Sequence, residues 1–363
     1  MSRVFFKSYL AATALVLLGA CRSTGPRDPA SVNAPACVGK DLARIDLSNQ
    51  FPPTKDQTKY GICYSYAASA LFEAALYRID GQVRSFSSSL GACLMSTDDR
   101  YAGSYSTSAR AKAMNSAEAR YMDGGDVALA IKAVLDKGRL APDDFDKQFE
   151  LIDRLQQEGK QMWKPLEHPS PRPWYALTEW NDLAAARKDY VNVSRQLTET
   201  YFDKNKNRLT KIDSKIFRVE MPLPGVSLKE ADACSPERQR QITQTLMSAL
   251  CEGVPTAINI RMNGVETSPD GGATWRPHGS SAHSIHFMVL QGLDQRGEKA
   301  YFNFRNSWRA GSKELPTRSQ ARLPATDVCK ILNIITLKTA YDRPLSFQPT
   351  CEYDSKAAKI SCR

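Results

Sequence analysis

Three residues of this 363-residue chain have the side-chain types that nucleophilic acyl transfer needs: Cys63, His286 and Asn306. A thiolate attacks a carbonyl carbon, an imidazole moves the proton, and an amide fixes the tautomer of the imidazole. Cys63 stands in the stretch DQTKYGICYSYAAS, at the head of an apolar run that reads as a helix over 63–79 closed by Gly81. A thiol at a helix N-terminus feels the positive end of the macrodipole, which favours its thiolate. Gln57 offers a side-chain NH2 to an oxyanion forming near the Cys63 backbone N–H. Gly61 leaves room for a substrate backbone to approach. By itself the stretch admits three readings of Cys63: a nucleophile, a structural thiol, or one half of a disulfide.

His286 opens one apolar strand and Asn306 closes the next, with DQRGE between them. The two positions are symmetric about residue 296, so a hairpin centred there sets them directly opposite each other on one face. His283 would aim at the other face, His278 lies in a loop, and His168 sits among prolines. A buried strand histidine with a polar neighbour fits the same pattern, so this pair alone does not prescribe catalysis.

The helix at 63–79 is apolar on nearly all sides and must lie centrally. DVALAIKAVLDKG, over 126–138, is an amphipathic helix, and QRQITQTLMSALCEG, over 239–253, is another. PTAINIRM, IHFMVLQGL, KAYFNFRNSW and CKILNIITLKTA read as strands. Helices early and strands late give an α+β class with two unlike halves. Residues 143–233 are charged, with helical patches near 146–163 and 180–202 split by PSPRPW, and read as a helical insertion.

Gln57-x5-Cys63 leading into an aromatic-rich helix resembles the opening of papain/cathepsin-like cysteine peptidases, with Tyr64 where that family has Trp. HFMVLQG from His286 to Gly292, RNSW at 305–308 and DGGD at 123–126 are similar to three further motifs of the family, in the family's order. The resemblance covers roughly residues 40–140 and 238–340. It implies a two-lobed papain-like fold, with a helical lobe around the nucleophile helix and an antiparallel barrel-like lobe. It also implies a catalytic set of Cys63, His286, Asn306 and Gln57. Gly124 and Gly125 would pair with extended substrate, and Trp308 would shield the His–Asn hydrogen bond. The family's disulfide near this site would join positions that here hold Tyr60 and Met122, which implies an apolar contact there and leaves Cys63 a thiol. Arg309 replaces a family glycine beside Trp308, altering the walls of the substrate subsites.

The N-terminus carries Arg3 and Lys7 before an apolar stretch ending in Leu-Gly-Ala-Cys21, which resembles a bacterial lipoprotein signal. The expected organisation is a signal over 1–20, then lipidated Cys21 and a tether over 21–38. A catalytic domain over 39–345 and a tail over 346–363 closed by Cys351 and Cys362 follow. That implies a lipid-anchored location in the cell envelope, which is the outer membrane if the cell is Gram-negative. The net charge of +10 comes without a Lys/Arg tract or a nucleic-acid motif, so no nucleic-acid partner is expected. DKNKNRLTKIDS, over 203–214, starts like a calcium loop but has Arg208 and Ser214 where Gly and Glu are required. No metal or cofactor is expected. The leading reading is an endopeptidase acting on peptide or protein substrates. A Cys–His amidase or transpeptidase of peptidoglycan peptides and a non-catalytic binding module of the same fold are the alternatives.

Overall fold

The computed structural model describes residues 37, 42–57, 60–102, 125–152, 192, 194–223, 225–226, 231, 235–262, 265–267, 273–275, 284–295, 298–307, 320–342 and 349–363. Helices and a large sheet make up an α+β molecule, as the residue pattern predicts.

The central helix α1 runs Cys63–Asp80 and is buried along most of its length. Gly81 ends it with φ 72°, and the Gly81 N–H reaches the Tyr77 carbonyl at 2.6 Å. Only a residue without Cβ takes that conformation cheaply. Helix α2 spans Leu90–Thr97. Its start is capped from outside: Asp146 accepts from Ser89 N at 3.1 Å and from the Ser87 and Ser89 hydroxyls at 2.5 and 2.6 Å. Helix α3 spans Val127–Lys137, with Asp126 as a side-chain cap and Gly138 at φ 67°. Further helical residues lie at 145–152 and 194–204, and α4 spans Pro236–Cys251.

In chain order the strands are β1 (Arg44–Asp46), β2 (Arg139–Leu140), β3 (Thr210–Lys211), β4 (Phe217–Leu223), β5 (Thr256–Met262), β6 (Val265–Thr267) and β7 (Ala273–Trp275). They continue as β8 (Ser284–Asp294), β9 (Tyr301–Arg305), β10 (Gln320–Pro324), β11 (Ile331–Thr339), β12 (Cys351–Asp354) and β13 (Lys359–Cys362). The main sheet has the order β4-β11-β5-β8-β9-β10-β7-β6, with β1 added against β8. Its pairings are antiparallel except β7 with β10.

The sheet separates two apolar cores. Phe287 and Val289 of β8 face the core built on α1, α2 and α3, which includes Cys63. Met288 and Leu290 face a second core with Ile242, Leu246 and Leu250 of α4. This is the period-2 alternation of a strand buried on both faces.

One finding differs from the sequence reading, and two others add to it. Phe217–Leu223, placed inside a helical insertion, is an edge strand paired with β11, because Phe217, Val219 and the residues between them alternate against that neighbour. The calcium-loop-like stretch contains β3 and a 3-10 turn over Ser214–Ile216. Cys37 is bonded to Cys251, a pairing that no spacing argument supplies. The expected Cys351–Cys362 bond is present and closes the β12–β13 hairpin, in which those residues pair.

Candidate active site

Cys63 is the first residue of α1 and carries a thiol, not a disulfide. Ile62 precedes it with a side chain that accepts no hydrogen bond, where a stable helix prefers Ser, Thr, Asp or Asn. Cys63 is 8% exposed and packs into the α1 core, whereas the second thiol, Cys93, is fully buried beside Thr198 and its pKa is pushed up to about 11 by burial.

His286 Nε2 lies 2.7 Å from Asn306 Oδ1, and both residues are fully buried. An amide oxygen only accepts, so Nε2 holds the proton and the lone pair of the neutral ring sits on Nδ1. Burial pushes the imidazolium pKa down to about 4, against the smaller upward pull of Asn306. The ring is therefore neutral at pH 7.

The pair does not have the register that symmetry about residue 296 requires. The β8–β9 ladder matches Val289 with Arg305 and Leu290 with Phe304, which continues to Met288 opposite Asn306. The rungs Gly292–Asn303 and Asp294–Tyr301 centre the hairpin beyond residue 296, the bulge between Leu290 and Gly292 offsets the ladder by one residue, and the two side chains meet on a diagonal of one face. The contact is as expected; the directly opposed geometry is corrected.

Gln57 is 3% exposed and is held at both its backbone and its amide. Its N–H donates to the Ser307 carbonyl at 2.8 Å. The Ser307 hydroxyl donates to Gln57 Oε1, and Gln57 Nε2 donates to the Tyr60 carbonyl at 2.8 Å. These contacts fix which way the amide points. They engage one of the two Nε2 hydrogens. Ser307 belongs to the RNSW stretch, yet its role was not legible, because its partner lies 250 residues away.

Gly125 lies against Tyr64. A Cβ on Gly125 would stand 2.6 Å from Tyr64 Cζ, closer than any tolerated contact, so this backbone reaches the residue after the thiol only because it is glycine. Gly61 is half-buried in the short link between Tyr60 and α1. Gly124, Trp308, Met122 and Cys21 lie outside the described residues.

Behind the site, a pocket of about 20 Å³ is lined by Lys55, Tyr66, Glu73, Phe287, Arg305 and Ser307 among others. That volume admits roughly one water. Arg305 stacks on Phe51 at 5.2 Å and donates to the Pro52 and Pro53 carbonyls at 2.8 and 2.9 Å. Glu73 is 2% exposed, its pKa is pushed up by burial, and it pairs with Lys55 at 3.3 Å. An acid in the middle of an apolar helix was the one sequence signal for this cluster. Among the described residues, no His, Cys, Asp and Glu group has metal-site geometry, and no helix is long and apolar enough to cross a membrane.

No family model matches the chain, and no curated protein matches it. Among solved structures, it is similar to a digestive procathepsin L 3 from the larval midgut of Tenebrio molitor. That alignment has 14% identity and a TM-score of 0.40, and covers 82% of this chain and 69% of the other.

Proposed function

We propose that this chain is an exported cysteine endopeptidase of papain-like architecture, with Cys63 as nucleophile, His286 as general base and acid, Asn306 as its orienter and Gln57 as an oxyanion donor. One observation carries the reading. Consecutive residues Asn306 and Ser307 hold the two other groups of the site: Asn306 takes the His286 N–H at 2.7 Å, and Ser307 takes the Gln57 backbone N–H at 2.8 Å and donates its hydroxyl to Gln57 Oε1. A structural histidine gives no reason for its partner's neighbour to orient a second buried amide six residues ahead of a thiol at a helix start.

The chemistry follows from these groups. His286 Nδ1 accepts the thiol proton, and the Cys63 sulfur attacks the substrate carbonyl carbon. The developing oxyanion takes hydrogen bonds from Gln57 Nε2 and the Cys63 N–H. His286 then returns the proton to the leaving amine, giving a thioester on Cys63. A water deprotonated by His286 hydrolyses it and restores the thiol. Gly124 and Gly125 would line the path of an extended peptide, and Trp308 would cover the His286–Asn306 bond.

Anchoring through a lipid on Cys21 is part of the same proposal. The Cys37–Cys251 and Cys351–Cys362 disulfides support export, since such bonds persist in oxidising compartments. The test is hydrolysis of casein by the purified full-length protein and by Cys63→Ala. Cleavage lost in the variant supports the proposal. Cleavage of purified muropeptides with casein untouched would replace it with the amidase reading, and no cleavage of either would reject it.

A further inference from the structure

We infer that the chain just after residue 142 braces the loop that carries Gln57, with Asp143 and Phe149 as positioning residues for the oxyanion donor. The inference rests on the peptidase reading of the site. Residues 51–57 and Tyr60 lie outside any helix or strand, so their shape must come from outside contacts. The sheet side supplies Arg305, bound to the Pro52 and Pro53 carbonyls at 2.8 and 2.9 Å, and Ser307, bound to Gln57. The α1 side supplies Tyr66, whose hydroxyl donates to the Asp56 carbonyl at 3.0 Å, and Glu73, which pairs with Lys55. These two supports leave the third side of the loop to be held.

Asp143 and Phe149 hold it. Asp143 Oδ1 lies 2.6 Å from Lys55 Nζ. The Lys55 ammonium thereby directs its three N–H groups to Glu73, Asp143 and the Phe86 carbonyl. Phe149, on the helical stretch 145–152, meets the Tyr60 ring edge-on at 5.2 Å and 85°. Lys55 precedes Gln57 by two residues, and the Tyr60 carbonyl is the acceptor of Gln57 Nε2. The brace therefore grips the chain on both sides of the donor and touches the group that aims its amide.

The consequence is catalytic more than thermodynamic. The Asp143 side chain is 52% exposed, so its ion pair contributes little to folding. An oxyanion donor works by being in place before charge develops, and small misplacements cost rate steeply. Alkylation of the thiol develops no oxyanion and should not feel the brace.

The experiment compares full-length wild type, Asp143→Asn, Phe149→Ala and Phe149→Leu in casein hydrolysis and in the rate of iodoacetamide labelling at Cys63. The expected result is kcat lower by about 5- to 10-fold in Asp143→Asn and Phe149→Ala, with KM and labelling within about twofold of wild type. Phe149→Leu, which keeps an apolar contact, should recover most of the loss. In a Gln57→Ala background, Asp143→Asn should cost nothing further, because the donor it positions is gone. If Phe149→Ala does not fold, Asp143→Asn alone decides. Additive losses in the Gln57→Ala background, or labelling that falls in parallel with kcat, would overturn the brace while leaving the peptidase reading intact. A wild type that neither cleaves casein nor labels at Cys63 would overturn the peptidase reading, and the brace with it.

Discussion

His286 and Asn306 share a 2.7 Å hydrogen bond although the β8–β9 ladder, which ends with Val289 opposite Arg305, puts Asn306 in line with Met288 rather than with His286. The bond defines a tautomer, with hydrogen on Nε2 and the lone pair on Nδ1. Replacing Asn306 with Ala removes that definition. The expected outcome is a kcat lower by roughly 10- to 100-fold with little change in KM, since general acid–base catalysis needs the ring both oriented and in the right tautomer. Steady-state kinetics check the rate, and the 15N shifts of the His286 ring check the tautomer.

Gln57→Ala removes an oxyanion donor and should lower kcat/KM by about 10²- to 10³-fold. Ser307→Ala leaves the donor but frees Gln57 Oε1 from its hydroxyl partner. Its loss should be smaller than that of Gln57→Ala, and the two should not add in the double variant. Kinetics of the three variants on casein read both statements.

Gly125→Ala forces a methyl group to 2.6 Å from the Tyr64 ring. Overpacking of this kind costs about 1–3 kcal/mol, which denaturant unfolding would register. Tyr64→Leu in the same chain should recover part of the loss by moving bulk away from the new methyl. Equal stability of Gly125→Ala and wild type would show that the two segments are not in contact.

His286 links folding to pH. Its pKa falls from 6.5 to about 4 on burial, so the unfolded chain binds more protons between those values. Stability from this group is present in full above pH 6.5 and is lost as pH falls toward 4, a difference of roughly 3 kcal/mol at most. Glu73, with its pKa pushed up by burial, works in the opposite direction. The measurement is therefore the difference between wild type and His286→Gln across that range. The wild type should lose more stability on acidification than the variant.

What could be read from the sequence was decided by local chemistry. Gly81 and Gly138 stop their helices with a positive φ, Asp126 caps α3, and the apolar run of α1 buries the helix wherever it packs. Cys63 at a helix start and His286 near Asn306 follow from such signals. The diagonal register did not, because the turn is centred beyond residue 296, and neither that offset nor the bulge between Leu290 and Gly292 leaves a mark in the alternation of apolar residues. β4 was hidden for a related reason: FRVEMPL is an edge strand with Arg218 exposed and Glu220 half-buried, and read alone it is a charged segment. Lys55, Ser307 and Arg305 gain their meaning from partners 88 to 253 residues away, and composition carries no trace of such distances.

The central claim is that Cys63 is an activated thiol, and site-resolved alkylation tests it most directly. Folded protein with its disulfides intact is treated at neutral pH with iodoacetamide or a peptidyl epoxide, and the modified residue is mapped by mass spectrometry. Cys93, fully buried with its pKa pushed up to about 11, serves as the internal control. The account predicts rapid modification of Cys63 alone, slowed in His286→Ala. Modification of neither thiol until the protein unfolds, or equal rates at Cys63 and Cys93, would contradict it.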